Sequence, residues 1–218
     1  MRLTFLTGRH RSTIWKVLHR HGQSRRRSSC ERQPSRRYEW AEAGALLHID
    51  AYSVAKFDQP GHWATSDRSN RSRQVGKTVV IGVEDDHTRL AYCELHSAEN
   101  AINVSATLKR AAAWFVEQGC GPVKAVMSDN AKCYSEARLF RDTLAELGAR
   151  HILTPPYTPR WNGKIERFFQ TLDTEWAHGR VWANSTTRDR ALASFIRFYN
   201  RQRPHSAAGG RAPITRVH

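Results

Sequence analysis

The hydrophobic pattern of this chain changes period once, near residue 100, and that change limits the possible folds more than any other feature of the sequence. Before it, three segments have strand character. Residues 45–57 contain Leu46-Leu47-His48-Ile49-Asp50. Leu47, Ile49 and Ala51 fall on one face and His48, Asp50 and Tyr52 on the other, the two-residue period of a strand. Residues 77–84, rich in Val and Ile, predict a second strand, and residues 90–95 a third. A polar stretch with Pro60, Gly61 and Gly76 separates the first two, and Asp85-Asp86-His87 lies between the others, where turn chemistry is needed. Three such strands in succession predict an antiparallel meander.

Beyond residue 100 helices and strands alternate. Val104, Leu108, Ala111 and Phe115 step along one side of a helix over residues 103–118, ended by Gly119 and Gly121. Residues 123–127 form the short apolar run of a buried central strand. A helix over 136–147 is stopped by Gly148, and a strand covers 150–153. Pro155, Pro156 and Pro159 forbid helix until about Arg160. Asn162 is then expected to cap a helix running to Trp176, with Ile165, Phe169, Leu172 and Trp176 inward. A last helix over 187–199 precedes a loop-like tail. This order predicts an α/β chain with a mixed sheet and helices on both faces.

The formal net charge of +15 is unevenly spread: residues 1–37 carry eleven Lys or Arg against one acid, Glu31. Neutralising phosphates with such an arm gives salt-dependent nucleic-acid affinity, and a solvated tail is the alternative. Within the arm, residues 12–22 read as a short basic helix, with Ser12 as cap, Ile14, Val17 and Leu18 as its apolar face and Gly22 as its end. It suits the second helix of a helix-turn-helix, with little chain upstream for a partner. The expected organisation is a basic arm over 1–37 with part of a helix-turn-helix, a core over 38–200 and a tail over 201–218. No run of 18 apolar residues predicts a membrane span, and the N-terminus lacks the apolar region of a secretory signal. The four cysteines form no CxxC pair and no Cys/His group has zinc-site spacing, so a cytoplasmic protein with reduced thiols is expected.

Three acids stand in unusual places. Asp50 lies inside an apolar strand, where a charge is costly unless compensated. Asp129 directly follows a short apolar strand, and sites form at the C-terminal ends of such strands. Glu166 falls in the first turn of the helix after the proline-rich loop. Clustered carboxylates repel one another unless cations join them, and an all-oxygen donor set favours Mg²⁺ or Mn²⁺. Two such ions about 4 Å apart suit an in-line displacement at a DNA phosphodiester, by water or by a 3′-hydroxyl. From spacing alone plain structural roles stay open. Asp50 could cap a turn, Asp129 could open a loop through an Asx bond, and Glu166 could complement a helix N-terminus. Asp85 and Asp86 fit a turn better than metal ligation.

The residues around these acids carry a resemblance. They are Leu47-His48-Ile49-Asp50, the stretch from Val83 to Tyr92, Ser128-Asp129-Asn130, the stretch from Pro156 to Phe168, and the stretch from Tyr199 to Ser206. Together they resemble the integrase core of insertion-sequence transposases, most closely the IS481 type among the retroviral-like DDE recombinases, over about residues 38–218. The resemblance implies an RNase H-like fold with a mixed five-stranded sheet. It also implies that Asp50, Asp129 and Glu166 are the catalytic metal ligands, with two Mg²⁺ or Mn²⁺ ions. The implied activity is cleavage of element ends and joining of their 3′-hydroxyls to target DNA, by a homo-oligomer on DNA in the bacterial cytoplasm at the nucleoid. Arg160, Trp161, Lys164 and Arg167 are expected to contact DNA, a packed aromatic or a solvated helix face being the alternative.

The chain departs from the family pattern in three ways. Between Asp129 and Glu166 lie 36 residues, one more than the usual spacing. The extra residue falls between Tyr134 and Phe140. Ala131 stands where Gly is common, which strains the loop if that position needs a positive φ. The upstream helix of a helix-turn-helix is not evident. The alternative function is a truncated, inactive copy that only binds DNA. An RNase H-type nuclease is weaker, since it would draw an acid from the first core helix, where only Glu99 and Glu117 stand near the ends.

Overall fold

A computed structural model of the chain describes residues 6–24, 38–67, 69, 74–155 and 161–217. The chain divides into two compact units, Met1–Tyr38 and Glu39–His218. The first contains helix α1 (Arg11–Arg20), none of whose residues is buried. His10, not Ser12, is its cap: the His10 ring nitrogen accepts from the Ser12 backbone N–H at 3.4 Å. No upstream partner helix was expected in the ten or so residues before α1; residues 6 and 7 are helical and 8–10 are not, while residues 1–5 lie outside the described residues.

The second unit runs β1 (Leu46–Phe57), α2 (His62–Thr65), β2 (Gln74–Asp85), β3 (Ala91–His96), α3 (Ala101–Glu117), β4 (Ala125–Ser128) and α4 (Lys132–Ser135). It continues with α5 (Arg138–Glu146), β5 (Arg150–Leu153), α6 (Gly163–Leu172), α7 (Ser185–Arg190) and α8 (Leu192–Arg201). The strands form one sheet in the order β3-β2-β1-β4-β5. The first three pair antiparallel, and β4 pairs parallel with both β1 and β5. This is the mixed sheet that the order of elements predicted, and the five-stranded, RNase H-like one that the resemblance implied.

Alternation along the strands sorts the core into two layers. Leu47, Ile49, Val79, Ile81, Val83 and Val126 pack against Val104, Leu108, Ala111 and Phe115 of α3 and Phe140 and Leu144 of α5. Val54, Val80 and Ala91 pack with Ile165, Phe168, Phe169 and Leu172 of α6, with Trp176, and with Leu192 and Tyr199 of α8. Each large side chain buried this way stabilises the fold by about 1.5–3 kcal/mol. The second layer matters most here, because α6 carries Glu166.

Contact between α6 and the sheet depends on one glycine. Gly82 of β2 pairs with Asp50 of β1. A Cβ at Gly82 would lie 2.9 Å from two ring carbons of Phe169. Gly82→Val is therefore expected to drive Phe169 and α6 outward and to lower stability by about 1–3 kcal/mol. The urea midpoint measures this, and a midpoint equal to the parent's would show that Phe169 yields without cost.

Several elements differ from the sequence expectation. The helix expected over 136–147 is present as α5, starting at Arg138 because Ala137 is extended at φ −72° and ψ 122°, and a short helix that was not expected, α4, precedes it. The helix towards Trp176 leaves α geometry after Leu172 and ends in a π-helical turn, Asp173–Ala177. Trp176 in that turn is fully buried and its Nε1–H donates to the Arg188 carbonyl at 3.0 Å. Ala191 divides the last helix into α7 and α8. The tail holds two 3-10 turns, Ser206–Ala208 and Pro213–Arg216, and Ile214 and Val217 pack against the first layer. Turns of three or four residues are too short to leave a readable period.

Candidate active site

The register of two strands places the first two acids. β1 and β4 run parallel, with Leu46 opposite Ala125, Leu47 opposite Val126 and His48 opposite Met127. Asp50 stands two residues beyond the last pair on β1, and Asp129 two residues beyond it on the β4 side. Asp50 therefore lies within β1, just past the end of its parallel pairing with β4, and Asp129 just past the C-terminal end of β4, where a sheet of this kind opens a crevice. Glu166 lies in the first turn of α6 and is exposed, with its backbone N–H bonded to the Asn162 carbonyl at 3.1 Å.

The polar contacts of these acids are specific. Asp50 Oδ1 accepts the Ala51 N–H at 2.8 Å, and Oδ2 accepts from Asn162 Nδ2 at 3.1 Å. Asn162 was expected to cap α6, but at φ −94° and ψ 6° it makes no side-chain cap bond. Its amide turns to Asp50 instead. Asp129 Oδ1 accepts the Ala131 N–H at 2.9 Å, the Asx bond that opens the loop. Ala131 itself is extended at φ −59° and ψ 144°, so alanine there carries no strain. The break between α4 and α5 falls where the extra residue was placed.

Electrostatics bring a fourth acid into the group. Burial pushes the Asp50 carboxyl up to about 7, and the charges of Asp129, Glu99 and Glu166 push the same way, against the Ala51 N–H bond. Glu99 lies just before Asn100, the cap of α3, and accepts from Cys133 Sγ at 3.6 Å. The Tyr134 hydroxyl is buried without a hydrogen-bond partner among the described residues. Burial and then the charges of Glu99, Asp50, Cys133 and Asp129 hold that phenol protonated. Among the described residues no three acidic, Cys or His side chains lie close enough together to hold one ion. The donor chemistry nevertheless suits a hard divalent cation. The donors are carboxylate oxygens that repel one another across a shared space, and a cation relieves that repulsion.

The remaining candidates divide. Trp161 is 43% exposed and Arg167 is exposed, while Arg160 lies outside the described residues. Lys164 was expected to face DNA, yet its ammonium is bonded to the Asp86 carboxylate and burial lowers its pKa. Asp85 holds the turn as expected, taking the Thr88 N–H at 2.7 Å, the Thr88 hydroxyl at 2.6 Å and the Gly44 N–H at 2.8 Å. Asp86 instead reaches out of the turn, to the Trp40 N–H at 2.7 Å and His48 Nε2 at 2.9 Å.

Comparison with known proteins bears on this arrangement. Residues 147–213 match the family described as "Integrase core domain". The "Putative integrase ORF3" of Spiroplasma virus SpV1-C74 is 25% identical over 189 residues, covering 82% of this chain and 48% of that protein. The chain thus spans about half the length of this curated relative. The catalytic core domain of BIV integrase superposes with a TM-score of 0.54 at 19% identity, over 79% of this chain and 92% of that one. The fold is that of an integrase catalytic core. The HTLV-2 integrase catalytic core domain in complex with magnesium, in a trimeric form, gives a TM-score of 0.58 at 10% identity, over 82% and 99% of the two chains. A chain of the simian T-cell lymphotropic virus intasome, solved with PP2A regulatory subunit B56 gamma, gives 0.66 at 15% identity, over 100% and 70%. The sequence likenesses support the integrase and transposase superfamily.

In this integrase-type core, sequence reading passed over three residues near the acids. Glu99 was weighed only as a weak acid candidate near a helix end, Asn162 only as a cap, and Asp86 as a turn residue in preference to a metal ligand. One signal was available for Asp86. Glu84-Asp85-Asp86 puts three acids at one strand end, more than a turn needs. All three are buried, and burial pushes Glu84 up to about 8, while Arg89 and Lys164 oppose the rise.

Proposed function

We propose that this chain is a DDE transposase of the IS481 type, which cuts DNA strands and joins their 3′-hydroxyls to target DNA in a metal-dependent reaction. The observation that carries the reading is the convergence of acids in an integrase-type core. Asp50 and Asp129 stand two residues past the last pair of the parallel β1–β4 ladder, and the charge of Glu166 reaches Asp50 from α6. Asp50, Asp129 and Glu166 would hold Mg²⁺ or Mn²⁺. Two such ions would supply the means to activate an attacking oxygen and to stabilise a leaving one at a phosphodiester.

The chain's own groups prepare the site. The Ala51 N–H and the Asn162 amide orient the Asp50 carboxylate. The Ala131 N–H orients Asp129. Trp161 and Arg167, exposed beside Glu166, together with Arg160, are the proposed DNA contacts. Element ends and target DNA are the proposed partners, held by a homo-oligomer. No described helix is long and apolar enough to cross a membrane.

The reading is tested with purified protein and pre-cut element ends. Joining must need a divalent ion and stop when EDTA removes it. DNA binding without joining under any divalent ion would instead favour an inactive copy. A second expectation concerns the arm. Removing residues 1–37, with eleven Lys or Arg, should weaken non-specific DNA binding and flatten its dependence on salt. An unchanged slope in a salt titration would assign that affinity to the core.

A further inference from the structure

Asp86 is fully buried at the turn after β2. Its carboxylate takes donors from three separate segments: the Trp40 N–H at 2.7 Å, His48 Nε2–H at 2.9 Å, and the Lys164 ammonium. His48 lies two residues before Asp50 on β1 and so shares its face of the strand. Lys164 lies two residues before Glu166 in the first turn of α6. One buried carboxylate therefore joins the strand of the first acid to the helix of the third, by a route separate from the acids themselves. Hydrogen bonds between charged groups are the stronger kind, and removing one partner leaves a buried charge exposed to a poor environment. The Lys164 side chain is only 17% exposed, which leaves little of it to meet a phosphate.

We propose that Asp86 and Lys164 are positioning residues, whose buried pair sets the distance between Asp50 and Glu166 without touching DNA or the reacting atoms. The inference rests on the metal-dependent reading of the site. Asn162 acts alongside the pair, through a single bond from the start of α6 to Asp50.

The test uses the full chain and its Lys164→Met, Lys164→Arg and Asp86→Asn variants. Hydrogen–deuterium exchange over residues 163–168 reads the hold on α6. Titration with Mn²⁺ alone, followed by electron paramagnetic resonance, reads the acids. Lys164→Met and Asp86→Asn should each speed exchange in that turn and weaken Mn²⁺ binding by roughly tenfold or more, as losing a partner behind a ligand does. Lys164→Arg keeps the charge and should restore both. Lys164→Met should keep the parent's DNA affinity and salt slope.

Parental exchange in both neutralised variants overturns the proposal. Faster exchange with parental Mn²⁺ affinity makes the pair merely structural and overturns it as well. A reduced salt slope in Lys164→Met assigns Lys164 to a phosphate, with the same result. Asp50→Asn separates this inference from the reading beneath it. If that variant binds Mn²⁺ as the parent does, the metal reading fails, and exchange in α6 alone decides whether the pair holds the helix.

Discussion

Glu166→Gln is expected to abolish both strand cleavage and strand joining with Mg²⁺ while leaving DNA binding intact. The amide keeps the size of the side chain and its place in the first turn of α6, so packing through Ile165 and Phe169 survives. It removes one negative charge and one strong oxygen donor. A bound ion at such a site supplies several kcal/mol of transition-state stabilisation, so the loss should be on the order of a thousandfold. DNA affinity should hold or rise slightly, since one charge that repels phosphate is gone. The measurement is single-turnover cleavage and joining on uncut and pre-cut ends. Near-parental joining by the variant on pre-cut ends would remove Glu166 from the essential set.

The second large effect is expected in the stability of the fold. Asn200, almost fully buried in α8, accepts the Ala91 N–H at 2.9 Å and donates to the Ala91 carbonyl at 2.8 Å. Ala91 lies on β3, at the edge of the sheet, so the Asn200 amide stands in for a neighbouring strand. Asn200→Ala leaves a buried donor and a buried acceptor unmet. At about 1–3 kcal/mol for each, the variant should lose about 2–6 kcal/mol, a fall in Tm of roughly 5–20 °C. Thermal melting followed by circular dichroism measures it. A Tm within a degree or so of the parent's would mean that water replaces the amide at Ala91.

These two residues illustrate what the sequence made legible. Asp50 and Asp129 were placed from strand character alone, because apolar alternation fixes faces and the end of a buried strand is a local feature. The five strands followed from alternation and from one short apolar run, while their spatial order in the sheet did not. Asn200 belonged to a segment whose resemblance was recognised, but its purpose was hidden, since its partner lies 109 residues away. The partners of Asp86 are likewise 38, 46 and 78 residues distant. Local pattern reports periodicity and turns, not such long-range pairings. The helix Lys132–Ser135 escaped because four residues leave no readable period, and the π turn at Asp173–Ala177 because no residue type announces it.

The contact between Glu39 and Arg216 has a consequence for how the core can be handled. Glu39 stands at the start of the second unit and accepts from Arg216 Nη2 at 2.5 Å, near the unit's other end. Arg89 joins the same carboxylate at 3.3 Å. The polypeptide therefore enters and leaves this unit at nearly one point. A short peptide could connect residue 217 to residue 39, with new termini opened in the polar segment between β1 and β2. Such a circular permutant would keep every strand pairing and both core layers, so the acid site would assemble from a chain read in a different order.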